Sequence, residues 1–438
     1  MSKTYNQCVR LRRPALGLVL VSFACIVLLC SYGSYYFRLL PHEFLKEGLR
    51  FLAVPVVAKL HTGDIQHGND LRKTYWIGPG KLVKTPPTKS WQQMTTKLPG
   101  FAVLSSSYNQ QGIHEIPFIY EKISAPQLVE VRNSYYIDRL LEGASDEYEA
   151  MLRLGAWVGT RWDHGMDDVP GGRSSFRVSD VIKAGKCGSK FSCEIAAKVT
   201  IQAATAIGWP ARLISASSDG YKYEHGIAEL WSNQFNKWFI MDTDFNIVLE
   251  SDGIPLSAFE LCHMGHQLLE SGRIHLRRFA PTKPSMSTMV QIKDYINLFC
   301  YVHIDMRNDW YSRRLAPGSP AGGDLATWWT ARPDLGPMLT AKIRVDDRDV
   351  FNWPVNTTWI FLGNITPAAD GYVLNVLLNG YSPYFEVFSI QLDDFAWQTL
   401  KSYQHSLVVS KGTHTIRARI KTKTGYEGPT ASVTFHIP

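Results

Sequence analysis

The sequence predicts an α+β core followed by an all-β, immunoglobulin-like sandwich and preceded by one membrane-spanning helix. Three patterns carry this expectation. Apolar residues recur at helical spacing through 145–206, a short strand-like run follows at 211–216, and two further runs, 225–231 and 237–241, flank a polar turn. Six strand-like runs separated by Gly, Asn and Asp turns occupy 341–438, and an uncharged stretch lies near the N-terminus at 14–37. A helix, a strand and a hairpin in that order make an α+β arrangement, whereas evenly spaced short strands mark an antiparallel sandwich.

The bulk numbers agree. The 438 residues are 45% hydrophobic and 19% charged, with 13 Trp, 20 Tyr and 20 Phe, which suits folded domains with sizeable cores and not a disordered chain. At about 100–200 residues per domain, the length accommodates two folded domains plus extras. The net charge of +7 is mild, and the dense early cluster Arg10, Arg12 and Arg13 adjoins the apolar stretch. Zinc-finger spacing, a phosphate loop and a dinucleotide glycine pattern do not occur, so neither nucleic-acid binding nor nucleotide-driven chemistry is expected.

Residues 14–37, PALGLVLVSFACIVLLCSYGSYYF, exceed the roughly 20 apolar residues that a helix needs to cross a bilayer. Lys3, Arg10, Arg12 and Arg13 precede them, and the first acidic residue is Glu43. The positive-inside rule then makes 1–13 a cytoplasmic tail, 14–37 a single-pass signal anchor and the remainder periplasmic or cell-surface. A cleaved signal peptide would carry a shorter apolar core, about 7–15 residues, and a clear small-x-small site, to which Ser31–Gly33 is a poor match. Residues 38–128, rich in turns such as Gly78-Pro79-Gly80 and Pro86-Pro87, read as a stalk or N-terminal subdomain.

The core is expected over 129–304. Ser145 is placed to cap a helix bearing Tyr148, Met151, Leu152, Ala156 and Trp157. A Gly-rich loop at 170–172 leads to Ser192-Cys193 and a second helix with Ile195, Val199, Ala203 and Ala206 on one stripe, closed by Gly208 and Pro210. A linker is expected at 305–340, with a Pro/Gly-rich stretch at 317–323, before the sandwich at 341–438. In that last region Ile416, Ala418 and Ile420 alternate with Arg417, Arg419 and Lys421, as in a half-buried strand.

The chemistry is expected from three residues. Cys193 stands at a helix start with Ser192 as cap, where N–H groups and the helix dipole favour a thiolate. His225 opens a strand 32 residues downstream and Asp242 follows the next strand, so the hairpin brings them together. A thiolate nucleophile needs an imidazole to shuttle its proton and a carboxylate to orient that imidazole. Cys187, Cys193, Cys262 and Cys300 are too few for a disulfide scaffold, although a Cys187–Cys193 bridge is sterically open. Cys262, His263 and His266 offer three metal ligands without a fourth, and neither a metal nor an organic cofactor is expected. Trp162 reads as a packed residue, Trp328-Trp329 as domain packing, and Asn356 and Asn364 fit the N-glycosylation pattern.

Four blocks together resemble the transglutaminase-like branch of the papain-like superfamily: Ser192-Cys193, Gly208-Trp209-Pro210-Ala211-Arg212-Leu213, Glu224-His225-Gly226-Ile227-Ala228-Glu229-Leu230-Trp231 and Trp238-Phe239-Ile240-Met241-Asp242. The resemblance covers roughly 145–260 and implies Cys193 as nucleophile, His225 as acid/base and Asp242 as orienting residue. Two positions depart from the family pattern. Gly226 follows the histidine, and Thr243 replaces a proline after the aspartate, which predicts a less rigid Asp242 loop.

The expected function is that of a membrane-anchored thiol enzyme acting on protein or peptide amides through a thioester that water or an amine resolves. The alternative is a catalytically silent binding or scaffold protein of a cell envelope, with polysaccharide-associated proteins as partners.

Overall fold

The computed structural model describes residues 98–107, 118–173, 176–220, 223–286, 291–311, 326–332, 343–345 and 348–438, all within the compact unit Gly68–Pro438. The expected tail, the apolar segment 14–37 and most of 38–128 lie outside the described residues. Among those described, no helix is long and apolar enough to cross a membrane.

Strand β1 (Ala102–Ser106) is followed by helices α1 (Pro126–Ser134), α2 (Ile137–Leu141), α3 (Glu147–Gly159), α4 (Val178–Lys186) and α5 (Cys193–Ala206). In α3 the expected stripe faces inward, with Tyr148, Met151, Leu152 and Trp157 buried. Its cap is Asp146, whose side chain accepts the Glu149 N–H. Ser145 instead gives its own N–H and hydroxyl to the Glu149 carboxylate, because the helix begins one residue later than the capping pattern suggested.

Helix α5 buries nearly every side chain from Ile195 to Ala206. Its small residues let it pack against α1, α3 and the central sheet at once. It ends in a Schellman motif. Gly208 takes φ +87° and gives its N–H to Thr205, while Trp209 gives its N–H to Ala204, which satisfies two orphan carbonyls.

The chain continues through β2 (Ala211–Ser217), β3 (His225–Ser232), β4 (Lys237–Met241), β5 (Ile247–Ser251), β6 (Ile254–Pro255), α6 (Ala258–Glu270), β7 (Ile274–Arg278), α7 (Ile292–Asn297), β8 (Tyr301–Asp305), β9 (Ala326–Trp329) and β10 (Ile343–Arg344). The central sheet has the order β10-β9-β8-β2-β3-β4. Its hairpin β3–β4 sets Ala228 opposite Met241. Leu213, Ala228, Leu230 and Met241 join the core shared with α3 and α5, and Ile214, Ile227, Trp231, Trp238 and Ile240 join a second core on the other face.

The strand-rich remainder comprises β11 (Thr357–Ala368), β12 (Gly371–Tyr381), β13 (Phe385–Leu392), β14 (Gln398–Leu400), β15 (Gln404–Val409), β16 (Gly412–Thr422) and β17 (Ala431–Ile437). One sheet runs β1-β17-β16-β13-β14 and the other β11-β12-β15, with Leu374, Phe388, Ile416, Ala418, Ile420 and Phe435 in one core. Two segments differ from expectation. Ala326–Trp329, inside the expected linker, is a strand of the central sheet, and Ala102–Ser106, inside the expected stalk, pairs with β17. Both are short, so pairing with distant strands defines them more than their own periodicity does. Asn356 is buried and its side chain is bonded to Asn233 and Ser382, whereas Asn364 is exposed.

A fully buried ion pair joins sheet and C-terminal region. Arg212 on β2 meets Glu229 on β3 at 2.6 Å, donates to the Phe351 carbonyl at 2.9 Å and lies between Trp238 and Trp353. Glu229 also accepts the Ala258 N–H at 2.8 Å, at the start of α6. Removing one member strands a buried charge, so Glu229→Ala should cost about 3–5 kcal/mol in urea unfolding. The Arg212→Met, Glu229→Leu pair should lose less than the single change, a comparison that the same unfolding curves make directly.

Candidate active site

Cys193 is the first residue of α5, so its Sγ sits where backbone N–H groups point outward. Ser192 precedes it in extended conformation but makes no side-chain cap hydrogen bond, and its hydroxyl is buried without a partner among the described residues. The expected cap is therefore positional only. The Gly226 N–H donates to Cys193 Sγ at 3.4 Å. A Cβ added at Gly226 would stand 3.0 Å from the Cα of Glu194, so only glycine lets β3 approach the helix this closely.

His225, buried at the start of β3, meets Asp242 with Nε2 and Oδ2 2.6 Å apart. Cys193 Sγ, a ring nitrogen of His225 and a carboxylate oxygen of Asp244 all lie within 4.8 Å of one another. With Nε2 committed to Asp242, Nδ1 is the nitrogen left for the thiol. Asp242 is saturated: Oδ2 also accepts the Tyr295 hydroxyl at 2.7 Å, and Oδ1 accepts the backbone N–H groups of Asp244 and Phe245, each at 3.0 Å.

Burial alone would push the His225 ring towards neutrality. The charge and hydrogen bond of Asp242, joined by those of Cys193, outweigh it and hold the ring well above its usual value. Burial likewise opposes the Asp242 carboxylate, but the His225 charge and four donors lower it. Tyr295 goes the other way, raised well above an ordinary phenol by burial and then by the neighbouring Asp242 charge, so it stays a hydrogen-bond donor.

The expected softness of the Asp242 loop is not seen. Thr243 is buried and its hydroxyl bonds that of Thr200 on α5 at 2.8 Å, while Asp242 and Ile247 exchange two backbone hydrogen bonds of 3.0 Å. Threonine does by hydrogen bonding what proline would do by ring closure.

A second pair flanks the first. The Asp244 carboxylate meets His164 Nδ1 at 2.7 Å and Lys283 Nζ at 3.2 Å. The hydrogen bond of His164 to the Asp244 carboxylate raises the ring, against its partial burial and the Lys283 charge. His164 is held beside the nucleophile by backbone bonds between 163–167 and 190–191. His164, Lys283 and Tyr295 give no signal in the sequence, because they come from loops and a helix distant in sequence. Trp162 is packed against Phe191, with its indole N–H unpartnered among the described residues.

The four described cysteines are free, so the Cys187–Cys193 bridge is not formed. Burial pushes Cys262 up to about 12, and His263 stacks on Phe259. Trp329 packs on Phe259 and Phe351, and Trp328 is buried beside Tyr301. Among the described residues, the group with metal-ligand geometry is Cys193, His225 and Asp244, which offers the same atoms that thiol chemistry would use.

Residues 135–243 match the model of the transglutaminase-like superfamily, and this part of the chain is a transglutaminase-like domain. The match includes Cys193, His225 and Asp242 and stops one residue before Asp244. No curated protein matches the chain.

The Asp242 charge and hydrogen bond hold the His225 ring well above its usual value, so the ring should keep its proton through neutral pH and lose it only in the alkaline range. Asp242→Asn removes that charge and should bring the titration of the ring down towards the usual histidine range. NMR of the histidine ring nitrogens against pH reads both profiles.

Proposed function

We propose that the chain is a thiol enzyme acting on protein or peptide amide bonds, anchored to a membrane and working outside the cytoplasm. The observation that carries the chemistry is the contact of Asp242 Oδ2 with His225 Nε2 at 2.6 Å, with Cys193 Sγ within 4.8 Å of a nitrogen of the same ring. Cys193 attacks the carbonyl carbon and forms a C–S bond. The C–N bond then breaks as His225 gives its proton to the departing amine, leaving a thioester. Water or a second amine attacks the thioester, His225 takes the proton of that nucleophile, and the thiolate is released. Asp242 keeps the imidazole oriented throughout, and the Cys193 N–H at the helix start faces the developing oxyanion.

What supports the membrane assignment is the sequence: 24 uncharged residues at 14–37 behind Arg10, Arg12 and Arg13. The immunoglobulin-like reading of 341–438 rests on two antiparallel sheets that share one core. An envelope setting, with polysaccharide-associated proteins as neighbours, is part of the same proposal and rests on the uncharged segment 14–37 alone.

p-Nitrophenyl acetate tests the chemistry without a known substrate. The wild-type chain should accumulate an acetyl group on Cys193 that hydroxylamine removes, and His225→Ala should slow its formation by about 10²–10⁴-fold. Acetylation at the same rate in Cys193→Ala, or an unchanged rate in His225→Ala, would overturn the reading.

A further inference from the structure

A line of residues runs across the central sheet away from the thiol. Gly226 on β3 is opposite Ser215 on β2, Ser215 is opposite His303 on β8, and His303 is opposite Trp328 on β9. Directly opposed residues share one face of a sheet, and strands lie about 4.8 Å apart, so His303 stands about 10 Å from Gly226 and the Cys193 sulfur it touches. Asp305, two residues along β8, points to the same side.

These groups are poorly satisfied among themselves. His303 is 3% exposed, yet neither ring nitrogen has a hydrogen-bond partner among the described residues. Its Nε2 and Asp305 Oδ1 are 3.4 Å apart, too long for a formed hydrogen bond. Burial holds His303 neutral, down to about 3, and pushes Asp305 up to about 6 despite the nearby charge of Lys198. Lys198 is already engaged, with Glu194 at 2.5 Å and the Arg173 carbonyl at 3.2 Å. Tyr223 stacks on the His303 ring at 5.0 Å and is half exposed, giving the line an aromatic rim.

A buried ring nitrogen with no donor among the described residues, beside a carboxylate whose nearby cation, Lys198, is bonded elsewhere, calls for a ligand rich in N–H donors and positively charged. A primary ammonium offers N–H donors for both the Asp305 carboxylate and the His303 ring nitrogen, which lie 3.4 Å apart. Its charge also suits the Tyr223 face. We propose that His303, Asp305 and Tyr223 form a specificity subsite for a primary ammonium group of the substrate, about 10 Å from the reacting thiol. At that distance the ammonium is a recognition handle and not the amine that attacks the thioester. The span equals roughly three extended residues, or one residue and a long side chain. The subsite deepens the thiol-enzyme reading, since it takes Cys193 as the reacting group.

Alkyl methanethiosulfonates test it on the intact 438-residue chain. Each forms a mixed disulfide with Cys193 and releases methanesulfinate, so the attached chain alone varies. The 6-aminohexyl reagent should label Cys193 faster than the 5-carboxypentyl reagent by about tenfold or more, the ratio that one charge-assisted hydrogen bond supports. Asp305→Asn and His303→Gln should bring that ratio down, with the uncharged hexyl reagent unaffected, and the short 2-aminoethyl reagent should show no sensitivity to either change. Free hexylammonium should slow hexyl labelling of the wild type, which needs no variant to fold. A wild type without preference, a ratio that survives both substitutions, or no protection by hexylammonium overturns the subsite. Loss of the thiol-enzyme reading shows separately, as hexyl labelling no faster in the wild type than in His225→Ala.

Discussion

Everything at the site depends on how closely the start of α5 can approach the start of β3. The helix carries the thiol and the strand carries the imidazole, and the two meet at Gly226, where the backbone of Glu194 occupies the space a side chain would need. The contact is fixed from both ends. The alanine-rich body of α5 lies flat on Leu213, Ala228 and Leu230, and its Schellman closure at Gly208 turns the chain directly into β2, the neighbour of β3. A larger residue at 226 would tilt the helix and pull Sγ away from the ring. The glycine that departs from the family pattern is thus the condition for the geometry.

The orienting carboxylate shows a similar economy of position. Asp242 stands where β4 ends, and its four hydrogen bonds come from His225, from α7 through Tyr295 and from the next turn of its own loop. A buried carboxylate is tolerated only when its lone pairs are filled, and each of these donors favours the charged form. The Thr200–Thr243 bond ties the same loop back to α5. One helix therefore sets both the nucleophile and, through a buried hydroxyl pair, the loop that orients its partner.

Periodicity made the helix start, the strand, the hairpin and the alternating C-terminal strands legible. The pairing of His225 with Asp242 followed from the hairpin, and the place of Cys193 from the helix start together with the resemblance of the surrounding blocks. What stayed hidden came from contacts across long sequence distances. Tyr295 reaches Asp242 over 53 residues and Lys283 reaches Asp244 over 39, and no local pattern records either. Ala326–Trp329 becomes a strand because β8 offers it an edge. Ser145 and Asp146 are both good caps, and the choice between them was made by which one the Glu149 carboxylate occupied. Free thiols at Cys187 and Cys193 likewise reflect where α4 ends and α5 begins, not their six-residue spacing.

The two aspartates pose a charge problem that the fold resolves. A carboxylate oxygen within 4.8 Å of a thiolate would repel it by about 3 kcal/mol at an effective dielectric near 20, comparable to what an imidazolium at similar range returns. Asp244 is in that position, and left alone it would undo the work of His225. Lys283 Nζ at 3.2 Å and His164 Nδ1 at 2.7 Å bring compensating positive charge to Asp244. Asp242, by contrast, spends its charge on His225 and so promotes the ion pair. The carboxylates are two residues apart and chemically identical. Their different partners make one a support for the imidazolium and the other a neutralised wall, and the difference arises entirely from loops that the strand pattern does not specify.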